Sequence, residues 1–462
     1  MPRLHRVHET ADIAADARAP RGVDAARPRA LRPAAALLTV GLLLTGCAGT
    51  DGGQTENGQG ASASATQDGG SGKGDAGAAA STRGQASEAQ GQAEESASED
   101  PADFPASNTT TLTHVETIKD PGLSSKSVVS NQHGLVIANN MMYRHNVMLL
   151  DTRSREVVQT LEDTVDTDTM GIDGLSGVVS GSPVEAAWTQ DGQYAYVTNY
   201  QLTGGVGTGT KPDDNCTAGS AIAPSLVYRY SVKDKKWDAA YRVGRVPKYV
   251  ALSPDDSRLL VANWCDATLS VLDTGSGETE HTIPLDTMPR GTVVLPDNKT
   301  AYVTAMWADK LFRVDLEAGT AEVVLHTGPQ PRHLTLSPDG KTLYMTVAGA
   351  DQIVKLDAAT GKVLATASAG DEPRSMDISA DGTALYVVNY EASTVTKIDA
   401  ETLEILDTKP AGENTVGVTY DEPTGQVWVA NYGGTLDVYD DTDGVGPGAG
   451  GSAQPSTDTA GN

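Results

Sequence analysis

The sequence predicts an all-β fold, a seven-bladed β-propeller, on three observations. Prolines at Pro247, Pro289, Pro331 and Pro373 open similar segments at a constant spacing of 42 residues. Each segment divides into four short apolar runs separated by turn residues. The same pattern continues on both sides and fills about 123–440 with seven repeats. One unit of four short strands cannot bury its own faces, but units stacked around an axis can.

The first blade reads "SVVSNQHGLVIANNMMYRHNVMLLDTRSREVVQTLE". The second opens at Pro183 with "SPVEAAWTQDGQYAYVTNY". Pro247 follows 64 residues later, so this blade carries about 22 extra residues after Tyr200. In blades 3 to 6 the first strand leads into a turn at Asp255-Asp256, Asp297-Asn298, Asp339-Gly340 or Asp381-Gly382. Second strands follow ("RLLVANW", "TAYVTAMW", "TLYMTVAG", "ALYVVNYE"), then third strands ending in Asp ("TLSVLD", "KLFRVD", "QIVKLD", "TVTKID"), then a fourth. Blade 7 starts at Thr415 and lacks its last strand. The segment "TLTHVETI" at 111–118 is expected to supply it, closing the ring and removing an exposed edge.

The flanks differ from this repeat. Residues 34–46, "AAALLTVGLLLTG", form an apolar run too short to span a bilayer, behind an Arg-rich segment. Leu44-Thr45-Gly46-Cys47 resembles the bacterial lipobox, which implies cleavage before Cys47 and a lipid anchor there. Translation is expected to start near Val23. Residues 47–105 are acidic and rich in Gly, Ser and Ala, the composition of a disordered tether. The domains are thus a signal peptide at 1–46, the tether, a propeller at 106–441 and a disordered tail at 442–462. The setting expected is the outer face of the cell membrane, and the chain is read as a monomer. A net charge of −27 argues against a nucleic-acid partner, which needs a basic stripe to meet phosphate.

Equivalent positions fall on one ring at the channel mouth. The residue after the proline position is Val184, Lys248, Arg290, Arg332, Arg374 and Val416. The four cations share strand parity with the core and sit at its rim, where a long stem can cross apolar surface to water. Sixteen residues after the proline come Asn199, Asn263, Asn389 and Asn431, which stitch the strand end to the next loop. Next come Tyr200, Trp264, Tyr390 and Tyr432, either inter-blade packing or stacking platforms for a ligand. Lys248, Arg290, Arg332, His333, Arg374 and these aromatics make up the candidate ligand site, suited to a carboxylate, phosphate or acidic sugar. The position of His333 is occupied elsewhere by Glu185, Tyr249, Gly291 and Ser375, so the imidazole is individual to its blade. No metal or cofactor is called for. The closely spaced aspartates of 163–173 are a weak match to a calcium loop, which needs six or more oxygens in a set geometry. Cys216, in the blade 2 insertion, and Cys265, in the matching loop of blade 3, are expected to form a disulfide; free thiols are the alternative.

"YVTNY" at Tyr196–Tyr200, with "LVANW", "YVVNY" and "VWVANY", resembles the bacterial YVTN-repeat family of seven-bladed propellers over about residues 111–440. The resemblance implies an extracytoplasmic or surface protein. Its relatives include seven-bladed lactonases and subunits of quinoprotein dehydrogenases. Three functions follow as expectations. The first is a lipid-anchored module binding an anionic ligand or another cell-envelope protein. The second is a lactonase-like hydrolase, with His333 as base and Arg332 and Arg374 as clamp, beside Glu391. The third is an accessory partner of an exported redox enzyme.

Overall fold

The computed structural model describes residues 107, 109–209, 216–217 and 221–442. The signal segment, Cys47, the tether and the tail beyond Thr442 lie outside the described residues. The described chain forms seven four-stranded antiparallel sheets. In blade 3, Pro247–Leu252, Arg258–Asn263, Thr268–Asp273 and Thr279–Pro284 pair in chain order. The first strands of all seven blades pack side by side around the channel, from Ser127–Ser130 through Thr415–Asp421 and back. Blade 7 is completed by Thr113–Lys119, which pairs antiparallel with Thr435–Asp440. This is the closing strand expected from the sequence.

Burial follows from this stacking. Second strands such as Arg258–Asn263 are covered on both faces by neighbouring blades and are almost wholly buried. Outermost strands such as Thr279–Pro284 are mostly exposed. The apolar cores therefore lie between blades, as where Leu260 and Val271 of blade 3 meet Val303 and Phe312 of blade 4. The Asp ending each third strand has a local task. Asp273, Asp315, Asp357 and Asp399 each accept the backbone N–H three residues on, fixing the turn to the fourth strand. The ring is also bolted at its seam. Lys397, fully buried, pairs with Asp441 and donates to the Thr109 carbonyl, and Tyr386 Oη donates to Asp441.

One expectation needs correction. A single insertion was expected, after Tyr200. A second lies between blades 1 and 2, where Thr164–Asp166 pairs with Val178–Ser180 in a small hairpin. Blade 7 draws its outer strand from the chain start, so its own stretch is one strand short. That shortfall hides the extra hairpin in the total length. The acidic segment 163–173 belongs to this hairpin. Asp166 and Asp168 accept the backbone N–H groups of Asp168 and Gly177. Among the described residues no group of three His, Cys, Asp or Glu side chains is placed to hold a metal ion.

Candidate functional site at the channel mouth

A backbone device repeated in five blades aims the site. The residue before each opening position takes a positive φ: Val246 at 54°, Met288 at 44°, Gln330 at 59°, Glu372 at 56° and Asn414 at 55°. Valine rarely adopts this region, so the local structure must hold it there. It does so through hydrogen bonds: these five carbonyls accept the N–H groups of Trp264, Met306, Ala348, Tyr390 and Tyr432. The ladder register then slips just after each opening residue. The next residue leaves the ladder, and its side chain turns into the channel mouth.

Lys248, Arg290, Arg332 and Arg374 occupy this position, as expected, with Val184 and Val416 in two other blades. A fifth cation, Lys126, fills it in blade 1 and was missed by the sequence reading. Ser127 faces Asn139 as Tyr249 faces Ala262, which makes Lys126 the counterpart of Lys248. Blade 1 has no opening proline and its hairpin is one residue shorter, so counting from prolines passes over it. The cations are also deeper than the rim position expected. Arg332 is 2% exposed, Arg374 3% and Lys126 7%, because seven inner strands converge around the channel.

These side chains separate two chambers. The outer one, about 340 Å³, is walled by Met141, Met142, Tyr143, Tyr390, Tyr432 and Asn414. The inner one, about 190 Å³, is lined by Ser127, Glu185, Tyr249, His333, Ser375 and Asp377. Lys126, Arg290 and Arg332 border both. Arg374 donates through Nε and Nη2 to Glu372 Oε1 at 2.9 and 2.7 Å and lies 3.2 Å from the Tyr390 ring centre. Arg332 Nη1 is 4.0 Å from the same oxygen. Lys248 sits 4.5 Å from the Trp264 ring and 5.4 Å from that of Tyr200. Lys126 is 5.2 Å from the Tyr432 ring. The four predicted aromatics thus divide. Tyr200 and Trp264 are buried in an apolar cluster with Val246 and Met306, while Tyr390 and Tyr432 wall the outer chamber.

Five cations in one layer repel one another. Burial, and then Arg290, Arg332, Arg374 and Lys248, hold the Lys126 ammonium well below the usual lysine range. Burial lifts Glu185 to about 7 although Lys126 opposes the rise, and it lifts Asp377 to about 6 against hydrogen bonds from the Tyr420 and Ile378 N–H groups. Burial, followed by Arg290, lowers His333 to about 4. The neutral imidazole has one tautomer here. The Met376 N–H donates to Nδ1 at 3.2 Å, so Nε2 carries the proton and donates to Tyr249 Oη at 2.7 Å. Gly291 makes this reach possible. A Cβ there would lie 2.4 Å from the Arg332 carbonyl and 3.0 Å from His333 Cα.

The asparagines act as stitches. Asn263 Nδ2 donates to Thr268 and Ser270, Asn389 Nδ2 to Thr394 and Thr396, and Asn431 Nδ2 to Thr435 and Asp437. Cys216 and Cys265 form the expected disulfide, packed beside the Tyr200–Trp264 cluster. Residues 210–215 and 218–220 of the blade 2 insertion, on either side of Cys216, lie outside the described residues. Glu372 was not foreseen. Its only signal is the acidic residue directly before Pro373-Arg374.

The family model of the cytochrome D1 heme domain matches residues 320–431, from the outer strand of blade 4 to the second strand of blade 7. No curated protein sequence is a significant match. Among solved structures, a chain of Kuenenia stuttgartiensis hydrazine synthase is similar, with a TM-score of 0.53 and 19% identity, over 70% of this chain and 96% of that one. At that identity the likeness is one of fold, and the fold is the seven-bladed all-β propeller described above.

Proposed function

We propose that this chain is an anion-binding module of the cell envelope, which receives a carboxylate- or phosphate-bearing ligand at the channel mouth. The single observation behind this is the layer of five cationic side chains from five blades around one recess. A guanidinium or ammonium already removed from water gains more from an anion than one at the surface. The setting is the outer face of the membrane, with Cys47 lipidated, residues 47–105 as tether and the propeller as head. The lipobox-like segment supports this, as does the disulfide, which suits an oxidising compartment. The repeated "YVTNY"-like strand ends support a place among YVTN-repeat propellers.

Isothermal titration with inorganic phosphate and with acetate tests the site. Arg290→Ala and Arg332→Ala should each weaken binding roughly tenfold to a hundredfold, the worth of a charge-assisted hydrogen bond. Unchanged affinity in both variants would refute the reading. Mass spectrometry of the mature N-terminal peptide tests the anchor; a peptide running unbroken through Cys47 counts against it.

A second reading, an accessory propeller beside an exported redox enzyme, is favoured by the two comparisons, whose names are those of redox proteins. Co-purification of an oxidoreductase with the native chain would support it. A resident haem fits poorly. Both described cysteines are in the disulfide, both nitrogens of His333 are engaged, and the recess is ringed by cations instead of forming an apolar slot. His333 likewise keeps no lone pair for general-base work, which weighs against the hydrolase.

A further inference from the structure

We infer that the recess takes a hydroxylated carboxylate of sugar-acid type, with its carboxylate against Lys126, Arg290 and Arg332 and its hydroxyls in the inner chamber. This rests on the anion-binding reading and adds the ligand's class and orientation.

The two chambers differ in chemistry, and the difference selects the ligand. The cations form one layer. Below it the inner chamber is lined by Ser127, Glu185, Tyr249, His333, Ser375, Asp377 and Thr419, with no further cation among its described residues. A ligand with a second negative charge pointing inward would meet the carboxylates of Glu185 and Asp377. A bare inorganic anion would satisfy the cations and leave the chamber to water. At about 190 Å³ that chamber holds several times the ~30 Å³ share of one water, so it has room for the body of a small organic ligand.

The inner wall needs partners that both donate and accept. Tyr249 Oη accepts the hydrogen bond from His333 Nε2, so its own O–H is turned to other acceptors. Both oxygens of Asp377 accept backbone N–H groups and keep lone pairs for further donors. Hydroxyls meet all these demands without adding charge. An ammonium group would also suit Glu185, but Lys126 already stands beside that carboxylate.

Titration calorimetry on the folded protein, with D-glucuronate, acetate, inorganic phosphate, glucose and L-serine as probes, tests this. Glucuronate should bind at least tenfold tighter than acetate or phosphate, and glucose should not bind. Tyr249→Phe and Glu185→Gln should each weaken glucuronate fivefold or more and leave acetate within twofold, which also reports that the variants fold. Glucuronate no tighter than acetate would overturn the inference while leaving an anion site. Serine binding tighter than glucuronate would overturn it in favour of an amino acid. If no anion binds, the anion-binding reading fails and this inference fails with it.

Discussion

In blades 3 to 6 the position after each opening proline is a cation: Lys248, Arg290, Arg332, Arg374. Across blades 7, 1 and 2 the same position reads Val416, Lys126, Val184. The first arc keeps its 42-residue period and places its cations beside aromatic rings or Glu372. The second arc carries the ring's seam, the extra hairpin, the long insertion and one cation between two valines, balanced by Glu185. Both arcs line the same recess. A propeller therefore tolerates loss of period where long-range contacts replace it, and chemistry can be shared between arcs built differently.

The largest expected effect breaks the seam. Lys397→Met leaves Asp441 buried without its ion-pair partner and should cost about 3–5 kcal/mol in chemical denaturation. If the loss is under 1 kcal/mol, the seam does not depend on that pair. Removing the disulfide with Cys216→Ala and Cys265→Ala, separated by 49 residues, should cost about 2–4 kcal/mol. An unshifted melting curve would mean that the insertion is held by its apolar cluster alone.

Acidity distinguishes His333 of the first arc from Glu185 of the second by sign. His333 stays neutral in the folded state down to about 4 and titrates near 6.5 when unfolded. Its contribution is therefore complete above pH 6.5 and is lost as pH falls toward 4, by on the order of 3 kcal/mol. Glu185 does the opposite. Lifted from 4.5 to about 7, it contributes fully below pH 4.5 and loses that contribution as pH rises through 7. Stability measured against pH for His333→Gln and Glu185→Gln should show difference curves of opposite slope; parallel curves would remove the distinction. The smallest effect compares two glycines. Gly291→Ala, in the regular arc, pushes a Cβ to 2.4 Å from a carbonyl and should cost about 1–3 kcal/mol. Gly417→Ala, at the seam, meets Ser127 Cα at 3.1 Å and should cost less. Equal losses would show that the two arcs are packed alike there.

The same contrast explains what could be read in the sequence. Seven blades, the closing strand, the disulfide partners and four of the five cations follow from period and turn chemistry, because each is read from the repeat, from the strand one repeat lacks, or from a fixed offset between repeats. Lys126 was lost because blade 1 spells the opening without proline. The hairpin at 164–180 was lost because its length is offset by the missing strand of blade 7. The depth of Arg332 and Arg374 was misjudged because a strand's own pattern gives parity, whereas burial depends on the six other strands around the channel.

By itself, the sequence determined the blade: where strands start, where they turn, which residue follows the opening proline. Those are local properties, set by hydrophobic alternation and the φ preferences of Asp, Asn and Gly. Only the tertiary structure decided that His333 of blade 5 bonds to Tyr249 of blade 3 across the bare Gly291 of blade 4, and that Lys126 and Glu185 share one desolvated recess. Closing the ring brings residues of separate blades into a space water no longer screens, and only there do their charges act as one site.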